Sequence, residues 1–136
     1  MKLTNTTNET ILADDSVNTF KELVESAIRK GINLSYADLH GADLRKVNLC
    51  FTNLRYADLF GADLRDASLH NTSLHYANLS DANLSGADLN GAALCYSNLR
   101  SANLTGANLI GADLRGANLF GADLTTADLS NAKLDN

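Results

Sequence analysis

From Leu34 to Leu134 every fifth residue is leucine, 21 in succession. Few patterns constrain a chain so tightly. An α-helix turns each residue by about 100°, so a five-residue step would scatter the leucines around the whole helix. A continuous strand alternates its faces with period two, so successive leucines would point to opposite sides. The chain must therefore bend once in every pentad. Two residues before each Leu stands a small residue, usually Ala; Ile32, Val47, Thr52, Thr72 and Ser97 are the exceptions. Residues two apart on an extended segment share a face. Each pentad then offers a short extended piece with Ala and Leu facing inward, followed by a corner. Gly41, Gly61, Gly86 and Gly106 fall where such a corner asks for positive φ.

A longer repeat sets the size of one coil. The run Tyr-Ala-Asp-Leu-His-Gly-Ala-Asp-Leu-Arg from Tyr36 recurs from Tyr56 with only His40 replaced, by Phe60. All four tyrosines, Tyr36, Tyr56, Tyr76 and Tyr96, are 20 residues apart, and Phe60 and Phe120 differ by a multiple of 20. One coil is then four pentads with four short sides. Coils stacked about 4.8 Å apart turn residues 32–136 into about five coils, a rod about 25 Å long.

The tandem Ala-(Asp/Asn)-Leu-X-X pattern over residues 32–136 resembles the pentapeptide-repeat family. That resemblance implies an all-β solenoid, a right-handed quadrilateral β-helix. The chain departs from the family in one respect. Members often carry Phe at some central inward positions, and here all are Leu. Leu39, Leu44, Leu59, Leu64, Leu84 and Leu104 are expected in the core, where Leu84→Lys should break the stack. The Asp or Asn before each Leu suits a structural role, accepting hydrogen bonds from turn N–H groups.

Residues 1–31 read as an N-terminal tail and capping helix, and 32–136 as the repeat. A solenoid's ends expose core and unpaired backbone. Asp14, Asp15 and Ser16 are helix-starting residues, and Val17, Phe20, Leu23, Val24, Ala27 and Ile28 follow helical spacing. Arg29 and Lys30 suit a helix C-terminus and Gly31 a stop. The spacing predicts a helix over 15–30 with its apolar side on the first coil. Residues 1–13 are polar and rich in Thr and Asn, so the first few are expected to be mobile, with Ile11 and Leu12 able to dock. The repeat reaches Leu134 with no matching lid, which favours a two-fold homodimer through the C-terminal coil. Members of the family commonly associate in this way, which the resemblance adds.

Several function classes lose support. No apolar run approaches the about 18 residues of a membrane span, and no signal-peptide core follows Met1. The expectation is a bacterial, cytoplasmic protein without a membrane partner. Cys50 and Cys95 each follow a Leu, so both should face outward, on different sides and about two coils apart. A disulfide between them is sterically implausible. No Cys, His and carboxylate set has metal-ligand spacing, and no cofactor is implied. There is no Gly-rich phosphate loop and no serine elbow, and a packed Leu/Ala interior leaves no substrate cavity. The net charge is −5 and no basic stripe runs along one side, against direct nucleic-acid binding.

Function must then lie on the outer faces. Tyr36, Tyr56, Tyr76 and Tyr96 form a vertical stripe, readable as a stacking ladder or as an interaction face; Phe60 and Phe120 on the neighbouring side favour an interface. The resemblance implies an alternative. Some family members mimic a DNA duplex and bind type II topoisomerases, protecting gyrase from quinolones. Asp38, Asp43, Asp58 and Asp63 are the acidic-face candidates here, although Arg45, Arg55 and Arg65 lie close by. The repeat holds 11 Asp against 7 Arg and Lys. That is about a quarter of the charge on duplex DNA of equal length, at one charge per about 1.7 Å. The reading is a non-enzymatic protein-interaction module for an unidentified protein partner, with a gyrase-binding DNA mimic as the alternative.

Overall fold

The computed structural model describes residues 2–14 and 16–135. Its repeat region is built from corners. The carbonyl of each repeat Leu accepts a hydrogen bond from the N–H three residues on, from Leu34 with Ala37 at 3.1 Å to Leu129 with Ala132 at 2.9 Å. The third residue of each such turn has positive φ, whether it is Gly41 at 61° or Tyr56 at 59°. A turn closed in this way, with positive φ only at its third residue, is type II. Glycine is thus a convenience at these corners and not a requirement. Tyr36, Lys46, Phe51, Asp66, Asn71 and Ser101 hold the same conformation, at a steric cost of about 1–2 kcal/mol each.

Between corners each side is only three residues long, too short for a regular strand. One residue per side bridges in parallel to the residue 20 further on, from Asp38↔Asp58 to Asp113↔Lys133. The coil is therefore four-sided and 20 residues long. Leu39 N–H donates to Asp58 O at 2.8 Å, and Asp58 N–H returns to Ala37 O at 2.9 Å. Corner N–H groups join the same ladder, as Tyr36 does with Arg55 O. With Ala and Leu inward, the leucines from Leu34 to Leu114 are at most 2% exposed. Leu39, Leu44, Leu59, Leu64, Leu84 and Leu104 all lie in that column. Polar residues in the Ala columns are satisfied locally: Thr72 Oγ1 donates to Leu49 O and Ser97 Oγ to Leu94 O, both at 2.7 Å.

The N-terminal segment departs from expectation. Residues 2–13 are not a loose tail. Strands β1 (Lys2–Thr4) and β2 (Thr10–Ala13) form an antiparallel hairpin in which Leu3 is fully buried. The hairpin also pairs with the first coil, Asp38 N–H donating to Thr4 O and Thr6 N–H to Tyr36 O, both at 2.8 Å. It thereby satisfies backbone groups that an open solenoid end would leave bare. Helix α1 is shorter than the 15–30 span, running Phe20–Arg29. Its N-cap is Thr19, in a capping box with Glu22. A local side chain that satisfies the first N–H groups decides where the helix begins. Asp14 instead accepts hydrogen bonds from Ser16, Ser26 and Lys30, tying the connection to the helix; Asp15 lies outside the described residues. Leu23, Val24 and Ala27 of α1 join the buried cluster that holds Leu34 and Leu39.

At the other end the last coil leaves its inner side uncovered. Leu119, Leu124 and Leu129 are only half-buried and Leu134 is 49% exposed. Among the described residues, the N–H groups of Leu119, Leu124 and Leu129 donate to no further coil.

Leu84 lies mid-stack and is fully buried. Leu84→Ala should cost about 2–5 kcal/mol, because coils held in register above and below cannot collapse into the void. Urea unfolding monitored by circular dichroism will show it as a lower midpoint; an unchanged midpoint would contradict the continuous core.

Candidate functional site

The tyrosine stripe is a continuous stack. Successive rings of Tyr36, Tyr56, Tyr76 and Tyr96 lie 4.8, 5.0 and 5.2 Å apart and within 9° of parallel. The spacing is that of the backbone ladder, so the rings stack because the coils do. Each pair adds about 0.5–1.5 kcal/mol, comparable with the cost of the left-handed corner that carries the ring. Stacking does not bury them: the four remain 39–60% exposed along their edges. Arg55 places its guanidinium 5.7 Å from the Tyr56 centroid. The stack ends on Gly116. A Cβ there would lie 2.4 Å from Tyr96 Cδ1, so any side chain at this corner would force the ring from its present position.

Tyr56 and Phe60 stand at the two corners that bound one side of the rod. Asp38, Asp58, Asn78 and Asn98 run down the middle of that side, each one coil from the next. Phe60 and Phe120 are exposed on the far corner, and Arg100 lies over the Phe120 ring at 5.5 Å. The structure thus brings the tyrosines and both phenylalanines to the borders of one side.

It also brings the four acidic candidates together, Asp38 beside Asp58 and Asp43 beside Asp63, but every carboxylate is engaged. Each first closes its own corner, accepting from the N–H two residues on, as Asp58 does from Phe60 at 3.0 Å. Arg45 and Arg65 then grip Asp43 and Asp63 through Nε at 2.8 Å and Nη2 at 2.6 Å. The hydrogen bonds from Arg45 hold the Asp43 carboxyl down at about 2, and those from Arg65 lower Asp63. Asp38 hydrogen-bonds His40 Nδ1 at 2.6 Å, which raises the imidazole pKa. Asp58 accepts from Asn78 Nδ2 at 3.0 Å. On these two adjacent sides Asp38, Asp43 and Asp63 face a cationic or imidazole partner, and Asp58 is held by hydrogen bonds.

The two cysteines are free but unalike. Cys95 stands on an outward position yet is buried by its neighbours. Burial pushes its thiol pKa up, and the adjacent Asp113 carboxylate pushes the same way. Cys50 is half-buried, with its Sγ 2.8 Å from His70 Nδ1. Among the described residues no group of three or more potential ligands could hold a metal ion, and no helix is long and apolar enough to cross a membrane.

A sequence profile for pentapeptide repeats matches in eight copies over residues 32–71, 52–91, 62–100 and 97–136. The chain belongs to the pentapeptide-repeat family. A pentapeptide-repeat protein from the Arabidopsis thaliana thylakoid lumen is similar in structure, with 35% identity, TM-score 0.58, and coverage of 76% of this chain and 69% of that one. Alr5209 from Nostoc PCC 7120 is 29% identical over 90% of this chain and all of that one, at TM-score 0.42. QnrB1, a plasmid-mediated fluoroquinolone resistance protein, is 29% identical over 73% of this chain and 61% of that one, at TM-score 0.33. No curated protein matches in sequence. Membership implies the right-handed quadrilateral β-helix expected from the resemblance, and the four-sided coil agrees with it. Within this pentapeptide-repeat rod, the sequence gives Gly116 a corner but not its contact with Tyr96, and gives the Cys50–His70 pair no role. Their signals were present, a glycine 20 residues beyond Tyr96 and a histidine 20 beyond Cys50.

Gly116→Ala sets a methyl against the Tyr96 ring at a backbone φ of 70°. It should cost about 1–3 kcal/mol and displace the last ring of the stack. Thermal unfolding will report the first and near-ultraviolet circular dichroism the second; wild-type values in both would show that the ring does not rest on Gly116.

Proposed function

We propose that this chain is a rigid, non-enzymatic protein-interaction module, a rod of about five coils closed at its first end by the hairpin and α1. It engages a protein partner through the side bordered by Tyr36, Tyr56, Tyr76 and Tyr96 and by Phe60 and Phe120. The observation that carries this reading is a pre-ordered aromatic row that stays half exposed. Rings already stacked lose little side-chain freedom on binding, and Tyr and Arg concentrate binding energy at interfaces. Pentapeptide-repeat proteins are in general structural or interaction modules, which agrees with it. Two free thiols suit the reducing cytosol. The DNA-mimic alternative draws less support, because a mimic needs unpaired carboxylates and Asp43 and Asp63 are held by Arg45 and Arg65.

The discriminating experiment is affinity capture from an extract of the source organism. It compares the wild type, the double variant Tyr76→Ala/Phe60→Ala and the double variant Asp43→Asn/Asp63→Asn. A partner lost only with the aromatic variant supports the proposal. A partner lost only with the acidic variant, and released by moderate salt, overturns it in favour of the mimic.

We further propose that the last coil docks on its copy in a two-fold homodimer. Half-exposed Leu119, Leu124 and Leu129 and the bare N–H row beside them favour a self-complementary contact. Sedimentation equilibrium should give twice the chain mass for wild type and the single mass for Leu129→Asp. A wild type that stays monomeric at high micromolar concentration rejects the dimer.

A further inference from the structure

A groove of about 490 Å³ runs between α1 and the rod, away from the aromatic side. Glu25, Ile28 and Arg29 of the helix form one wall; Asn48, Cys50, Phe51 and His70 form the other. A second hollow adjoins it and shares Ile28, Cys50 and Phe51. Cys50 therefore stands where the two meet, with His70 beside it in the first.

The pair is built by the 20-residue register. Cys50 and His70 occupy the same outward position in successive coils, which sets Sγ against Nδ1 at 2.8 Å. Asn48 Oδ1 accepts the Cys50 N–H at 3.1 Å and fixes the corner that carries the thiol. Phe51 meets the His70 ring edge-on at 4.9 Å and holds its plane. With the ring proton on Nε2, the thiol donates to Nδ1, the geometry of a nucleophile beside its base. The charged groups facing the pair are Glu25 and Arg29, both from α1. Among the described residues neither Glu25 nor Arg29 joins an ion pair. One cation and one anion on an otherwise apolar wall fit a ligand carrying both a carboxylate and an ammonium group.

We propose that Cys50 is a site of thiol–disulfide exchange with small zwitterionic disulfides of the amino-acid type. His70 Nδ1 takes the thiol proton as the Cys50 sulfur attacks one sulfur of the disulfide. A new S–S bond forms to Cys50 while the ligand's own S–S bond breaks. The leaving sulfur departs with the bonding pair and recovers the proton from His70. Cys50 ends oxidised as a mixed disulfide, and one equivalent of the small thiol is released. Arg29 holds the ligand carboxylate and Glu25 its ammonium group, and the attached half fills the groove against Ile28 and Phe51. This assignment is independent of the aromatic side. Cys95 is its internal control, because that thiol is buried beside a carboxylate.

The test uses the full chain with oxidised glutathione and with the neutral 2-hydroxyethyl disulfide as probes, followed by mass spectrometry with peptide mapping. Oxidised glutathione should add once, at Cys50, leaving Cys95 untouched until the protein is unfolded. His70→Gln, checked for native circular dichroism, should slow the addition by about tenfold or more at pH 7. At about pH 10, where a thiol ionises in water without a base, the two proteins should react alike. Arg29→Ala should slow oxidised glutathione and leave the neutral disulfide unaffected. Equal rates at Cys50 and Cys95, or an unchanged rate at pH 7 in His70→Gln, would overturn the role of the pair. Equal loss with both disulfides in Arg29→Ala would overturn the ligand class.

Discussion

The hydrogen bond from each Leu carbonyl to the N–H three residues on is the constraint from which the rest of the rod follows. It turns the chain through a corner once in every pentad. That corner demands positive φ at one position, and the chain meets the demand with glycine or with side chains that point into solvent. Because the turn recurs every five residues, four of them return the chain over itself after 20. Leucine is then always inside. A slip of one residue along a side would turn a corner residue inward and a leucine out.

Register at 20 residues also writes the outer surface in columns, and each column becomes a physical ladder. Identical side chains one coil apart sit at the backbone spacing, which stacks the four tyrosines. The same spacing sets Asn78 and Asn98 to donate down the column. Like charges in a column would repel, and the chain answers with an arginine or histidine two residues after Asp38, Asp43, Asp63 and Asp113. The carboxylates thus serve the corners first and the surface charge second. Between these paired charges the tyrosine row and both phenylalanines stay exposed.

The two ends of the rod are treated differently. At the first end the hairpin continues the coil-to-coil hydrogen bonding and α1 lays Leu23, Val24 and Ala27 over the core. At the last coil both the leucines and the backbone N–H row stay open. The same kind of backbone group that pairs coil to coil within the rod is left open at its end. The helix also creates the groove in which Cys50 and His70 meet, a consequence of placing a 10-residue helix beside a flat-sided rod.

The amino-acid pattern alone determined the inward leucine column, the four-sided coil of 20 residues and the tyrosine stripe. Those features depend only on spacing along the chain, and the spacing repeats without a fault from Leu34 to Leu134. The helix was legible as an apolar face from Phe20 to Ile28, but its start at Thr19 was not. Asp14, Asp15 and Ser16 have equal capping chemistry, and only the capping box with Glu22 selects Thr19. The hairpin over residues 2–13 was illegible because its seven strand residues carry no period, and it is held by Leu3 burial and by bonds to Tyr36 and Asp38. The pairing of Asp43 and Asp63, the glycine beneath Tyr96 and the Cys50–His70 contact were decided by tertiary structure. Rotamer, reach and burial settle which neighbours meet, and a repeat fixes only where their backbones stand.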